Sequence, residues 1–256
     1  MTQNKFIPLI PVNPDGLDDI AESLLSNSPQ QPPQDNGDQT PAKINNREKY
    51  IILPARTHGK YSYPTILISM ERTHQDKNWY DTHKALAQEG NSMLTIRQYV
   101  DFLSLLKSGN VVDGRAKNLA KKRIEEILDD ILTVRDPWRG EWLDADFKVK
   151  KDKLYINYGH KVDPKGKIIP KYSEPLLPTL MQNKQIDIAD WLAHANSQGL
   201  PSENVKDGSM YYYFPMNDDN SVARFDANSD WAVLFCFRYP SNSNSALGVR
   251  ASRAKI

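Results

Sequence analysis

Residues 231–239 read WAVLFCFRY, an alternation that few positions in a fold can accept. Ala232, Leu234 and Cys236 are compact apolar groups, and Trp231, Val233, Phe235, Phe237 and Tyr239 stand between them. A strand sends successive side chains to opposite faces. A strand here therefore has one compact face and one bulky, mostly aromatic face. Two placements satisfy that pattern. Apolar on both sides, it suits a strand buried between two layers. Covered on the compact side alone, it presents its aromatics to solvent, followed by a polar, low-complexity loop (SNSNS, residues 241–245). Tyr, Trp, Ser and Asn are favoured in antibody-type paratopes, so the second placement reads as a recognition surface.

The whole chain narrows the partner classes. Its 256 residues suffice for one large domain or two small ones. Lys plus Arg number 33 and Asp plus Glu 32, a formal net charge of +1, so no nucleic-acid partner is expected. No apolar run approaches the length that crosses a bilayer, so no membrane span is expected. The start, MTQNKFIPLIPVNPDG, carries Pro8 and Pro11 inside its apolar patch and lacks a small-residue cleavage site. It does not read as a secretory signal, and the cytoplasm is the default expectation for location. A single cysteine, Cys236, excludes an intramolecular disulfide and a Cys-based zinc site.

Residues 1–47 read as a flexible leader. The segment GLDDIAESLL (16–25) can form about two helical turns with Leu17, Ile20, Leu24 and Leu25 on one side, a possible docking peptide for a partner. The Pro/Gln/Asn-rich stretch after it buries too little apolar surface to offset chain entropy. The folded domain is expected over 48–256. YIILP (50–54) reads as a strand, 63–70 as a second extended stretch and WYDTHKALAQE (79–89) as a helix closed by Gly90. Thr95 caps a helix with Ile96, Tyr99, Val100, Leu103 and Leu106 at helical spacing, ended by Gly109. A charged helix follows over 120–134 on Ile124, Ile127, Leu128 and Ile131, and Pro137 stops it. Residues 147–150 and 154–158 read as a hairpin, 186–198 as a short helix, and MYYYF (210–214) as a strand. Helices gather early and strands late, which argues for an α+β fold.

Clusters that carry chemistry are few. His74-Gln75-Asp76 and Asp81-Thr82-His83 hold metal-ligating types, but not at the i, i+4 spacing of one helix, and a solvated helix start accounts for them equally. Glu141, Asp144 and Asp146 lack the glycine-punctuated loop of a calcium site; an ion pair with an Arg such as Arg135 or Arg139, or a capping role, is expected instead. No Gly-x-Ser-x-Gly elbow or phosphate-cradling glycine run occurs. Cys236 falls on the compact face, where cysteine acts as a small hydrophobe. Arg250, Arg253 and Lys255 form a basic tail too small for a nucleic-acid footprint. The expectation is a chain without catalytic residues, metal or cofactor.

Ser221-Val222-Ala223-Arg224-Phe225, Leu234, Cys236, Pro240-Ser241 and Ser245-Ala246-Leu247-Gly248-Val249-Arg250 resemble the C-terminal region of variable proteins diversified by retroelements. Those proteins have a C-type lectin fold of the subclass shared with formylglycine-generating enzymes. Gly248-Val249-Arg250 matches that subclass's Gly-(Phe/Val)-Arg ending. Met93-Leu94-Thr95-Ile96-Arg97-Gln98-Tyr99 resembles its "Leu-Pro-Thr, then helix" segment, without the proline. The resemblance spans 48–256 and implies short antiparallel strands, two main helices, and an insertion made of the 120–134 helix and the hairpin.

The resemblance further implies a non-enzymatic binder in which adenine-directed mutagenesis rewrites solvent-facing positions within about 220–250. Mapped onto this chain, those positions are Asp226, Asn228, Asp230, Trp231, Val233, Phe235, Phe237, Arg238, Tyr239, Asn242 and Asn244. The scaffold is Ala223, Phe225, Ala232, Leu234, Cys236, Leu247, Gly248 and Arg250. The implied partner is a protein or other macromolecule at that surface. The related oxidase chemistry uses a cysteine pair, and this chain has one cysteine. Neither Glu-Pro-Asn nor Trp-Asn-Asp, the lectin calcium motifs, is present. A structural protein docking through its N-terminal segment is the other alternative.

Overall fold

A computed structural model describes residues 46–216 and 220–255. The expected N-terminal helix and linker lie outside the described residues. The described residues open with a 3₁₀ turn, Arg47–Lys49, and then form β1 (Tyr50–Leu53), β2 (Arg56–His58), β3 (Tyr61–Tyr63) and β4 (Ile66–Ser69). Three helices follow, α1 (Trp79–Gln88), α2 (Ile96–Ser108) and α3 (Lys121–Leu132). Next come β5 (Arg139–Lys150), β6 (Lys153–Tyr158), β7 (Lys161–Val162), β8 (Ile168–Ile169), β9 (Tyr172–Pro175) and β10 (Lys184–Ile186). After α4 (Ile188–His194), the remaining strands are β11 (Met210–Tyr213), β12 (Ser221–Ala227), β13 (Ala232–Arg238), β14 (Leu247–Gly248) and β15 (Ser252–Ala254). The fold is α+β, and none of the described helices is long and apolar enough to cross a membrane.

Local chemistry accounts for the helices. Thr95 Oγ1 accepts from Gln98 N at 3.2 Å while Gln98 Oε1 accepts from Thr95 N at 3.0 Å, a reciprocal capping box. Gly109, with φ 72°, supplies the left-handed stop of α2. The stripe Ile96, Tyr99, Val100, Leu103 and Leu106 is fully buried. Asn78 caps α1 by accepting from Asp81 N. α3 buries Ile124, Ile127 and Ile131.

The strands form a small sheet, β1-β4-β15, a large one, β10-β11-β13-β12-β5-β6-β9, with β14 added alongside β5, and two two-stranded pairs, β2-β3 and β7-β8. Pairing is antiparallel except β11–β13 and β14–β5, which are parallel. The inner face of the large sheet sends Met210, Tyr212, Ala223, Phe225, Leu234, Cys236, Leu143, Ala145 and Phe147 into the main core with α2, α3 and Trp191 of α4. Phe225 lies between Tyr99 (ring centroids 5.3 Å apart) and Trp191 (6.3 Å). On the outer face Trp142 and Val222 join Trp79 and Leu86 of α1, Met93, Leu247, Val249 and Ala251 in a second cluster.

Two expectations are corrected here. The hairpin's first strand is longer than the expected 147–150: β5 runs for 12 residues and is the strand between β12 and β6. Its first two-thirds is hidden from a hydropathy reading by Glu141, Asp144 and Asp146, which are polar yet have dedicated partners in the fold. Arg250 is not part of a basic tail. It is buried, donating from Nε to Glu141 Oε1 (2.9 Å), from Nη2 to Asp130 Oδ2 (2.7 Å) and from Nη1 to the Met70 carbonyl. A charge taken out of water needs such a full set of acceptors. Gly248 beside it is required by close approach, since a Cβ there would lie 2.7 Å from the Thr73 carbonyl oxygen.

Candidate recognition surface

The outer face of the large sheet changes character between β5 and β11. Strand register places residues in rows across it. One row runs Tyr211, Val233, Asp226, Gly140; the next runs Tyr213, Phe235, Arg224, Trp142. At the β11–β13 end the side chains form an aromatic ladder. Tyr213 stacks on Phe235 (4.8 Å, 9°) and Tyr211 stacks on Trp231 (5.9 Å, 15°). Phe237 meets Tyr213 edge-on at 5.1 Å. Offset and edge-on contacts at these separations are the favourable aromatic geometries.

Charged groups are threaded into the ladder. The Arg238 guanidinium sits 3.5 Å from the Phe235 ring centroid. Arg224 lies 5.1 Å from the Trp138 centroid and 5.6 Å from those of Trp142 and Phe235. Arg224 Nη2 donates to Asp226 Oδ2 at 2.6 Å. Burial pushes the Asp226 carboxyl above the usual aspartate range even though Arg224 opposes the shift. Burial, then the Arg224 charge, lowers the Arg238 guanidinium. Room for Asp226 comes from Gly140, where a Cβ would lie 2.2 Å from Asp226 Oδ1. Arg224 Nε, Asp226 Oδ1 and Arg238 Nε are buried without a hydrogen-bond partner, so this spot holds unspent polar capacity.

The positions singled out from sequence separate into three groups. Tyr239 is 59% exposed, and Asp230, Asn242 and Asn244 are exposed with it. Trp231, Phe237, Arg238 and Asn228 are half-buried. Val233 (1% exposed), Asp226 (3%) and Phe235 (5%) are buried, which corrects their expected solvent exposure. β13 is an interior strand, so Tyr211 and Tyr213 cover it from one side and Arg224 from the other. Two asparagines also have local work: Asn228 Oδ1 accepts from Asp230 N and Trp231 N, and Asn244 Oδ1 accepts from Ala246 N. Tyr211 and Tyr213 were missed as surface residues; their alternation with Met210 and Tyr212 is the signal that marks them.

A second constellation lies on the same face, at the β5 end beneath α1. His83 of α1, Asp144 of β5 and His160, just after β6, are buried together, and one ligand atom from each lies within 4.8 Å of the others. His160 Nδ1 donates to Asp144 Oδ1, the His160 backbone N–H donates to Asp144 Oδ2 at 3.0 Å, and His160 Nε2 is 3.2 Å from Asp146 Oδ1. Burial works against a charged His160, but Asp144 and Asp146 raise it to about 9. Burial lowers His83 to about 4, with its Nε2 3.7 Å from Asp144 Oδ1. Trp79 contacts both rings (4.2 Å and 5.0 Å) and donates from Nε1 to the Leu143 carbonyl. His74 is elsewhere, paired with Glu89. The two sequence clusters therefore each contribute one member, His83 and Asp144, and His160 is the residue that sequence spacing missed.

No protein-family model matches the chain. Comparisons with curated proteins and with solved structures likewise find no match.

Proposed function

We propose that this chain is a non-enzymatic ligand-binding protein of C-type lectin-like architecture, with a C-terminal surface rewritten by retroelement-directed adenine mutagenesis. The observation that carries the binding part is the ladder of Tyr211, Tyr213, Trp231 and Phe237 with Arg238, all half-buried, bordered by exposed Tyr239 and the Asn/Ser loop. Rigid aromatics offer contact area at low entropy cost, and Asn and Ser supply adaptable hydrogen bonds. The ligand is a protein or other macromolecule that lies across the sheet face. The diversification part rests on the sequence resemblance over 221–225 and 245–250. Cys236, the sole cysteine, is buried on the inner face with its thiol pushed up by burial, which speaks against a cysteine-based oxidase.

In this reading Trp231, Phe237, Arg238, Tyr239, Asp230 and Asn242 contact the ligand. Val233, Phe235 and Asp226 support them from beneath. Screening the protein against an array of surface and secreted proteins should yield a binder that Trp231→Ala and Tyr239→Ala each weaken. A binder indifferent to both substitutions would remove the surface assignment. Sequencing the DNA downstream should find a near-repeat of codons 220–250 that differs at adenines, beside a reverse transcriptase gene. Finding neither overturns the diversification.

A further inference from the structure

We propose that His83, Asp144 and His160 form a binding site for one divalent transition ion, with zinc as the reference metal. Two imidazole nitrogens and one carboxylate oxygen are a donor set that zinc and its first-row neighbours accept. The three residues come from α1, β5 and the turn after β6, yet their donor atoms converge within 4.8 Å. They are 4%, 2% and 7% exposed, respectively.

Three details of the surroundings fit an ion better than a bare hydrogen-bond cluster. His83 Nε2 is buried with no hydrogen-bond partner and aims at Asp144 Oδ1 from 3.7 Å, an orphan that costs free energy unless something fills the gap. Asp144 is oriented in advance: the His160 backbone N–H occupies Oδ2 at 3.0 Å, which turns Oδ1 toward both rings. The Asp146 carboxylate stands 3.2 Å from His160 Nε2, behind the ring. Its negative charge beside Nε2, an ion-pair contact in which Asp146 Oδ1 makes no hydrogen bond, favours the proton on Nε2 and leaves Nδ1 for the metal. On binding, the ion takes the place of the proton between His160 Nδ1 and Asp144 Oδ1, and that proton goes to solvent.

The site also has a structural reach. The Trp79 backbone N–H donates to the Pro240 carbonyl (2.9 Å) and the Asp76 N–H to the Asn244 carbonyl (3.2 Å). Fixing α1 to β5 through an ion thereby steadies the loop that borders the recognition surface. The inference does not depend on the proposed function.

The test uses the full chain, stripped with chelator and then titrated with Zn²⁺. One zinc per chain by elemental analysis is expected. The melting temperature should rise by about 5–10 °C when free zinc is one hundred times the dissociation constant. Co²⁺ should give a visible absorption spectrum of a nitrogen/oxygen-ligated ion. His83→Gln and His160→Gln should abolish the shift, and Asp146→Asn should weaken affinity about 10–100-fold. If His160→Gln does not fold, His83→Gln and the wild-type stoichiometry decide the matter. A stripped wild type that melts at the same temperature with and without zinc, or a His83→Gln protein that keeps the shift, overturns the proposal.

Discussion

Two regions of the large sheet's outer face share one pleat, yet they have opposite fates. Over β5, Trp142 and Val222 are sealed by Trp79, Leu86, Leu247 and Val249 and have become core. Over β13 and β11, among the described residues, Tyr211, Tyr213, Trp231 and Phe237 keep part of their surface in solvent. β12 contributes to both, Val222 to the first and Arg224 and Asp226 to the second, so strand identity does not separate them. The difference is whether another segment of chain lies on top. A sheet face this apolar is ready to be covered, and in the proposed function a partner covers the open end.

Substitutions that remove a large ring separate the two ends most sharply. Trp142→Ala should destabilise the domain by about 3–5 kcal/mol in denaturant unfolding, the cost of emptying a packed aromatic site. Phe235→Ala should behave similarly despite its place in the ladder, because only 5% of it is exposed. A loss under about 1 kcal/mol at Phe235, as for a surface substitution, would restore it to the exposed set.

Tyr239→Ala is the counterpart at the open end. It should leave the unfolding midpoint unchanged and weaken ligand binding by about 2 kcal/mol, roughly 30-fold, if binding centres there. A matching loss of stability would erase the distinction between the ends. The neighbouring asparagines refine it further. Asn244→Ala should cost about 1 kcal/mol, because its Oδ1 holds the Ala246 N–H in the turn before β14, while Asn242→Ala should cost almost nothing.

The subtlest difference is electrostatic. Asp226 has a folded-state pKa raised above its unfolded value by burial. Its contribution to stability is therefore fully present below the unfolded aspartate pKa of about 3.9, and is lost as pH rises through the folded value. Following the Asp226 carboxyl carbon by NMR should show a midpoint above the ordinary one. A midpoint at or below it would mean that Arg224 satisfies the carboxylate in full, leaving the open end without its unspent polar capacity.

Much of this was legible in the residues. The capped helix Ile96–Ser108 declared itself through Thr95 and Gly109, both signals within one helix length. The opposite facing of Leu234 and Cys236 against Phe235 and Phe237 followed from the strand period alone. Of the scaffold positions, Ala223, Phe225, Leu234, Cys236, Leu247, Gly248 and Arg250 are buried, and Ala232 is half-buried. Less legible were the strand Arg139–Lys150, masked by carboxylates, and Arg250, which charge alone reads as a tail residue, although the resemblance puts it in the scaffold, until Glu141 and Asp130 are seen around it.

What the sequence by itself determined is periodicity: which residues share a face, where helices start and stop, and that one strand has two unlike sides. Only the tertiary structure decided which side meets solvent and which charges meet each other. Phe235 and Trp142 face the same way, but exposure depends on which remote segments lie across them. Likewise His83, Asp144 and His160 belong to three separate elements. Local spacing encodes direction along the backbone, whereas burial and ligand geometry depend on distances between elements that no local pattern records.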